Sequence, residues 1–203
     1  MSVPWVFASR NANKRKEVED ALRAVGVVLL PPGGASEPGE VEETEATFEG
    51  NALLKARAWA LSTGCPALAD DSGLIVDALG GRPGVHSARY GGAGLTDAQR
   101  WVLLLEELRG VAGPARSARF VAALAWVSPA GEEQVFHGTL EGAIAEGARG
   151  AGGFGYDPVF VLPDGRTLAE LPRLEKAQLS HRAKALAALI VWWRGRAAAA
   201  GEK

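Results

Sequence analysis

The chain has 203 residues, an apolar fraction of 47% and a formal net charge of −2 at pH 7. That length suits one large domain or two small ones, and the near-neutral charge argues against a general nucleic-acid or membrane-surface binder. Cys65 is the only cysteine, which excludes a disulfide within one chain and suits a reducing cytoplasm. We find no apolar run of transmembrane length and expect no signal peptide.

The first half of the chain alternates short apolar runs with helical periodicity. Residues 3–9 and 27–31 are predicted strands, and apolar positions at i, i+3, i+4 and i+7 predict a helix over 14–25. A second helix is expected from its N-cap at Thr44 to about Leu61. A strand over 65–69 and a helix over 96–109, capped by Thr96, are expected to follow.

The second half of the chain has a different pattern. Two strand-like segments, 118–128 and 133–145, flank the turn sequence "PAGE" and predict an antiparallel hairpin. Residues 157–165 form a further predicted strand with a turn, and Ser180 is the expected cap of a last helix. Strands that alternate with helices early and pair antiparallel later predict an α/β fold with a mixed sheet.

A polar segment, "FASRNANK" (7–14), joins the first predicted strand directly to the first helix. Backbone N–H groups at a helix start attract anions, and Lys14 in the first turn opposes the helix dipole, which points to a phosphate ligand. The segment has no G-K-[ST] and is therefore not a Walker A loop. The alternative is an ordinary strand-to-helix turn with polar residues.

Two acids, Glu42 and Glu43, precede the second predicted helix in "VEETEATFEGNALLKARA" (41–58). The helix dipole alone favours acids there, so simple capping is one interpretation. The other is Mg²⁺ ligation by a glutamate, because hard oxygen ligands and bridging phosphates suit that ion. Asn51 and Lys55 stand one helical turn apart and would face the same pocket.

Two adjacent aspartates, Asp70 and Asp71, follow a predicted strand in "ALADDSG" (67–73). Two carboxylates are costly to bury together unless a cation compensates, and ligands of open α/β sheets bind at the carboxyl ends of strands. A metal would neutralise one carboxylate and leave the other as a general base for water. The alternative is a turn in which Asp and Gly serve backbone geometry.

Two later segments carry side chains that suit a nucleobase. In "GAGGFGYDPVF" (150–160), Phe154 could stack on a planar base, while a mobile hairpin tip is the alternative. In "EKAQLSHRAKAL" (175–186), His181 and Arg182 lie in the first turn of the last predicted helix. Basic residues there oppose the helix dipole and can donate to a carbonyl oxygen of a base.

Taken in order, these five segments resemble the Ham1-type inosine/xanthosine triphosphate pyrophosphatases over nearly the whole chain. The resemblance implies one domain over 1–203, with an elongated mixed β-sheet flanked by helices. It implies two lobes, the second over roughly 115–165, and a nucleotide cleft between them. It further implies Mg²⁺-dependent hydrolysis of ITP, dITP and XTP to the monophosphate and pyrophosphate by a homodimer, which removes deaminated purines from the nucleotide pool.

The resemblance also assigns roles residue by residue. Asp71 matches the base and metal ligand, Asp70 is its catalytic neighbour, Glu42 or Glu43 completes the metal shell, and Ser72 contacts substrate. The phosphate-gripping loop falls on Ser9, Arg10, Asn11, Ala12, Asn13 and Lys14, with Lys55 assisting. The base pocket is lined by Phe154, Gly155, Tyr156 and Asp157. The nucleotide is held by Lys176, His181 and Arg182, of which the last two read the purine. Arg10 and Asn13 stand where the family commonly has small residues, which leaves the backbone contacts of this loop open.

Two rival functions stay open. A non-catalytic nucleotide-binding module would keep the loop, Phe154 and the basic pair at 181–182, but it has no need of the acids. A pyrophosphatase of related fold that acts on modified pyrimidines, or on dTTP or UTP, is the enzymatic rival.

Overall fold

The computed structural model describes residues 3–33 and 36–201. Its helices and strands are, in chain order, β1 (Val3–Phe7), α1 (Ala12–Arg23), β2 (Val27–Leu29), α2 (Phe48–Thr63), β3 (Ala67–Val76), α3 (Asp97–Glu107), β4 (Ser117–Val127), β5 (Glu133–Ile144), β6 (Phe160–Val161), α4 (Arg173–Leu179) and α5 (His181–Gly201). The strands form one sheet in the order β2-β1-β3-β4-β5-β6. Because β1 pairs in parallel with β2 and β3 whereas β5 and β6 pair antiparallel, the predicted α/β fold with a mixed sheet is confirmed.

The chain divides into two compact units, each assembled from separated segments. Unit 1 comprises residues 1–71, 122–138 and 182–203, and unit 2 comprises residues 72–121 and 139–181. The strands β3, β4 and β5 therefore contribute residues to both units. Unit 2 begins earlier and ends later in the chain than the predicted second lobe.

Two apolar clusters build unit 1, one on each face of its strands. One cluster packs α1 and α5 against the face that carries Trp5, Phe7 and Leu68. The other packs α2 against the face that carries Val6 and Ala69. Because successive side chains on a strand point to opposite faces, consecutive residues of β3 face different helices.

Side-chain caps set the starts of the helices. Asn11 caps α1 by accepting two backbone N–H groups, and α1 therefore begins slightly before its predicted start. Thr47, rather than the expected Thr44, caps α2. Thr96 caps α3 as predicted, and α5 begins directly after Ser180.

The strand β3 is longer than its predicted extent over residues 65–69. Its pairing with β1 ends at Leu68, so Asp70 and Asp71 lie beyond the carboxyl end of β1 but inside β3. The prediction that the strand ends ahead of the aspartates is therefore wrong. The strand can continue because buried cations and an amide compensate the two carboxylates, as described below.

The later strands follow the prediction in part. β4 and β5 are neighbours joined by a turn over residues 128–132, which confirms the hairpin. The strand predicted over 157–165 is reduced to β6, because a short 3₁₀ turn with Pro158 occupies its start. The short helix α4 was not predicted.

A buried arginine ties together the core of unit 2. The Arg116 guanidinium is only 5% exposed. It donates to the carbonyl oxygens of Leu108, Ile144 and Ala145 at 2.8–2.9 Å, and so joins the residues after α3 to the end of β5. These contacts supply donors to backbone carbonyl groups around the buried side chain.

A tryptophan cluster packs the last helix onto the strands of unit 1. The ring centroids of Trp5 and Trp193 lie 4.8 Å apart, edge to face, and those of Trp126 and Trp192 lie 4.9 Å apart. Such pairs add to the stabilisation from burial. Neither α5 nor any other helix within residues 3–33 and 36–201 has the length and apolar character needed to cross a membrane.

Candidate active site

Asp70 is held between two cations on the face of β3 that meets α1 and α5. Lys14 Nζ donates to its Oδ1 at 2.5 Å, and Arg182 Nε donates to its Oδ2 at 2.7 Å. Burial alone would raise the pKa of Asp70, but Arg182 and Lys14 outweigh it and hold that pKa far below its usual range. Asp70 therefore stays a carboxylate, with both oxygens bound to cations.

Arg182 has a second acidic partner. Its NH1 donates to Glu17 Oε2 at 2.6 Å, and the side chain of Arg182 is only 3% exposed. The guanidinium is therefore fixed between an acid of α1 and an acid of β3. The sequence predicted that Arg182 and His181 read the purine together, whereas the structure places the Arg182 guanidinium against Asp70 and Glu17.

Three cations share this part of unit 1. Burial lowers the pKa of Lys14, and the positive charges of Arg182 and Lys55 lower it further, against the opposing effect of Asp70. Mutual repulsion among three basic groups is a feature of a site that binds polyanions, because an incoming phosphate relieves it.

Asp71 points to the opposite face of β3 and meets α2. Its Oδ1 lies 3.4 Å from Lys55 Nζ, and its Oδ2 accepts a hydrogen bond from Asn51 Nδ2 at 3.2 Å. Burial raises the pKa of Asp71, and the negative charge of Glu43 adds to that rise. A carboxylate with a raised pKa is better suited to accept a proton near neutral pH.

Lys55 connects the acids. Its Nζ donates to Glu43 Oε1 at 2.6 Å and to the backbone oxygen of Asp70 at 2.9 Å, in addition to its contact with Asp71. Burial would lower the pKa of Lys55, but Asp71 and Glu43 raise it above its usual value. The sequence left open which glutamate serves the site; Glu43 is half-buried against Lys55, and Glu42 is exposed.

Asn51 joins the acidic segment before α2 to β3. The side chain is fully buried. Its Oδ1 accepts the backbone N–H of Glu45 at 2.9 Å, and its Nδ2 donates to the backbone oxygen of Glu45 at 3.2 Å as well as to Asp71. One amide thus holds both the segment that carries Glu43 and the carboxylate of Asp71.

The polar loop between β1 and α1 is shaped by its own side chains. Asn11 Oδ1 accepts the backbone N–H groups of Asn13 and Lys14 at 3.0 and 3.1 Å, and the backbone N–H of Asn11 donates to Ser9 Oγ at 3.3 Å. Asn11 therefore acts as the helix cap. Arg10, Ala12 and Asn13 are exposed on the same loop.

The segment over residues 150–160, called the aromatic segment here, is organised around Asp157. Asp157 Oδ2 accepts the backbone N–H of Phe154 at 2.7 Å and a hydrogen bond from Lys176 Nζ at 2.5 Å. Lys176 Nζ also lies 4.5 Å from the centroid of the Phe154 ring. The structure thus brings together Phe154, Asp157 and Lys176, which the sequence assigned to nucleotide binding.

Two other predicted site residues of unit 2 have partners in its core. Tyr156 is buried and donates its hydroxyl to the backbone oxygen of Ser87 at 2.9 Å, and burial raises its pKa. His181 stacks on Phe120, with ring centroids 4.8 Å apart and planes 10° from parallel. Ser72, the residue after Asp71, is half-buried.

The sequence analysis missed Glu17 and Asp97. Glu17 lies one helical turn after Lys14 on α1, so helical spacing could have indicated it. Asp97 Oδ2 accepts the backbone N–H of Gly155 at 2.8 Å, across 58 residues of sequence. No local pattern signals a contact of that range.

Comparison with known proteins shows the family of this chain. The model of the Ham1 family matches residues 5–192. The chain belongs to the Ham1 family. Over 186 residues, 91% of this chain and 89% of the relative, it is 51% identical to a dITP/XTP pyrophosphatase of Thermus thermophilus. It is 50% identical to a protein of the same name from Symbiobacterium thermophilum, over 90% of both chains.

A solved structure of the Ham1 family has the same fold. The HAM1 protein from Coxiella burnetii superposes with a TM-score of 0.88 at 42% identity, and the match covers 95% of this chain and 99% of that one. The sequence-based recognition of the family is confirmed.

Two acids of this site, Asp71 and Glu43, have the chemistry of ligands for a divalent cation. No group of three or more His, Cys, Asp or Glu suited to a metal ion occurs within residues 3–33 and 36–201. Mg²⁺, however, is commonly bound by one or two carboxylates together with water and substrate phosphates. Asp71 and Glu43 form such a pair, and a cation would relieve the repulsion that adds to the raised pKa of Asp71. The residues therefore fit.

Proposed function

We propose that this protein hydrolyses the non-canonical purine nucleoside triphosphates ITP, dITP and XTP to the monophosphate and pyrophosphate. In this role it removes deaminated purines from the nucleotide pool. The arrangement of Lys14 and Arg182 at Asp70, next to Lys55 at Asp71 and Glu43, carries the proposal. It combines cations suited to a polyanion with acids suited to hydrolysis. The name dITP/XTP pyrophosphatase, carried by relatives at 50–51% identity, supports the choice of substrate.

The acids and the lysines have different roles at the triphosphate. Asp71 and Glu43 would hold Mg²⁺, which neutralises phosphate charge when bound. Lys14 and Lys55 bind phosphate oxygens. Asp70 remains ionised and fixes Lys14 and Arg182 in place, so its role is to position cations rather than to activate water.

The reaction needs one proton acceptor. A water oxygen attacks the α-phosphorus while Asp71 takes the proton from that water. The bond between the α-phosphorus and the oxygen that bridges it to the β-phosphate breaks, and pyrophosphate leaves with the electron pair. Asp71 is assigned this role rather than Asp70, because both oxygens of Asp70 are already bound to cations.

Recognition of the base belongs to the aromatic segment and to His181. Phe154 offers a ring on which a purine can stack. His181 donates to the 6-keto oxygen of hypoxanthine or xanthine. Adenine has an amino group at that position, so two donors would face each other, at a cost of about 1–3 kcal/mol.

A substrate panel tests the proposal. We expect the purified protein with Mg²⁺ to convert ITP and XTP to monophosphate and pyrophosphate, and to act much less on ATP, dTTP and UTP. The variant Asp71→Asn should lose roughly 10²–10⁴-fold in kcat, because it removes the proton acceptor. It should still bind ITP, because Lys14 and Lys55 remain to bind the phosphates. Asp164→Asn, an exposed carboxylate paired with Arg166, is the matched control and should keep full activity.

Three outcomes would contradict the proposal. Full activity of Asp71→Asn would remove Asp71 as the base. Binding of ITP by the wild-type protein without release of pyrophosphate would favour a nucleotide-binding module. Preference for dTTP or UTP would favour the pyrimidine-specific rival.

The assembly state and the cellular setting belong to the same proposal. We propose that the protein acts in the cytoplasm as a homodimer, without nucleic-acid or membrane partners. Light scattering coupled to gel filtration should give about twice the chain mass of 21.2 kDa.

A further inference from the structure

Two consecutive backbone N–H groups in the aromatic segment are each held by a carboxylate. The N–H of Phe154 donates to Asp157 Oδ2 at 2.7 Å, and the N–H of Gly155 donates to Asp97 Oδ2 at 2.8 Å. Asp157 lies in the same segment, but Asp97 is the first residue of α3. A second element of unit 2 therefore reaches this segment.

The backbone here is one that needs outside support. Gly153 and Gly155 have φ angles of +77° and +63°, and a Cβ at Gly153 would lie 2.0 Å from Asp157 Oδ2. Glycine is required at 153, yet glycines lose more conformational freedom on ordering than other residues. Contacts with fixed groups must offset that loss if Phe154 is to keep one orientation.

Phe154 is held on both flanks by these contacts. On one flank Asp157 binds the backbone of Phe154 and also Lys176, whose Nζ covers the aromatic ring at 4.5 Å from its centroid. On the other flank the Gly155 N–H donates to Asp97. Asp97 thus supports the backbone next to the ring.

We propose that Asp97 is a positioning residue for purine recognition. By accepting the N–H of Gly155, Asp97 fixes the Phe154 ring in the orientation on which the base stacks. This inference rests on the proposed function, since it takes Phe154 as the stacking platform. It goes beyond it by assigning base affinity to a residue that makes no contact with the nucleotide.

The test compares three variants. Asp97→Ala removes the acceptor and should raise KM for ITP roughly three- to tenfold, with kcat nearly unchanged, as expected for one exposed, charge-assisted hydrogen bond. Asp97→Asn keeps an acceptor oxygen but loses the charge that pairs with Arg100, and should restore most of the affinity. Thr96→Ala is the matched control, because it removes the cap of α3 and leaves the contact with Gly155 in place.

A ligand without a base adds a second readout. Inorganic tripolyphosphate, used as a competitive inhibitor, carries the phosphate chain alone. Its inhibition constant should be the same for the wild type and Asp97→Ala, because the loss concerns the base. A general disturbance of the fold would weaken the binding of both ITP and tripolyphosphate.

The inference is overturned if Asp97→Ala leaves KM for ITP unchanged, or if Thr96→Ala raises KM as much as Asp97→Ala does. It is also overturned if Asp97→Ala weakens the binding of tripolyphosphate as much as that of ITP. Calorimetric binding of ITP separates this inference from the proposed function. A wild-type protein that binds ITP more tightly than Asp97→Ala but releases no pyrophosphate would refute the activity and sustain the role of Asp97. A wild-type protein that does not bind ITP would refute both.

Discussion

Asp70 and Asp71 are neighbours in sequence but occupy opposite electrostatic environments. Alternation along β3 turns Asp70 toward the cations Lys14 and Arg182, and turns Asp71 toward α2, where Glu43 lies nearby. The pKa of Asp70 is lowered and the pKa of Asp71 is raised. A lowered carboxyl pKa stabilises the folded state at neutral pH, whereas a raised one destabilises it.

The two aspartates should therefore respond oppositely to the same substitution. Asp70→Asn leaves two buried cations without their carboxylate, and we expect a loss of about 3–5 kcal/mol in the free energy of unfolding. Asp71→Asn removes a negative charge that burial and Glu43 disfavour. We expect the free energy of unfolding to rise by roughly 1 kcal/mol, and Tm by about 2–4 °C. Thermal unfolding of both variants beside the wild type measures the difference. Loss of stability in Asp71→Asn equal to that in Asp70→Asn would contradict this account.

At the scale of elements, the sequence predicted most helices and strands but not how far each extends. Local signals, such as Thr96 before α3 and the "PAGE" turn, are contained within a few residues and were interpreted correctly. The extent of β3 depends on partners of Asp70 that lie 56 and 112 residues away in sequence. No local window contains those partners, so the strand was predicted to stop where its charged residues begin.

The candidate site was predictable to a similar degree. Ordered motifs identified Lys14, Lys55 and Asp71, and the structure places all three in unit 1. The partner of Arg182 was not predictable, because helical position alone cannot show whether a guanidinium turns to a ligand or to a buried acid. The same limit applies to Asp97.

Arg116 shows how one side chain can join two elements. Its guanidinium binds carbonyl oxygens after α3 and at the end of β5. Arg116→Met should fill much of the same space but remove the guanidinium donors from those carbonyls, at a cost of about 3 kcal/mol. Urea unfolding measures the loss, with the exposed Arg109→Met as control. A change equal to that of the control would show that the carbonyls find other donors.

At the scale of the whole molecule, the chain passes between the two units within the strands β3, β4 and β5. One crossing lies between Asp71 and Ser72, and another lies between His181 and Arg182. Lys14, Lys55 and Asp71 thus belong to unit 1, whereas Phe154 and His181 belong to unit 2. This division could not be derived from motif order, because each unit is assembled from separated segments.

Because β3 and β4 contribute to both units, we expect the protein to unfold in one cooperative transition. Scanning calorimetry should give a single peak, with a calorimetric enthalpy equal to the van't Hoff enthalpy. Two resolved peaks would show that the units unfold independently despite the shared strands.

The tryptophans are distributed unequally between the two units, so the intrinsic fluorescence of the protein comes mostly from one of them. Of the six tryptophans, Trp101 alone belongs to unit 2, and the other five belong to unit 1. Those five include the rings that pack edge to face between α5 and the strands. Emission excited at the indole band therefore reports chiefly on one half of the molecule. Replacing Trp101 with phenylalanine would make that emission a selective monitor of the half that carries Lys14, Lys55 and Arg182, with no dye or label attached.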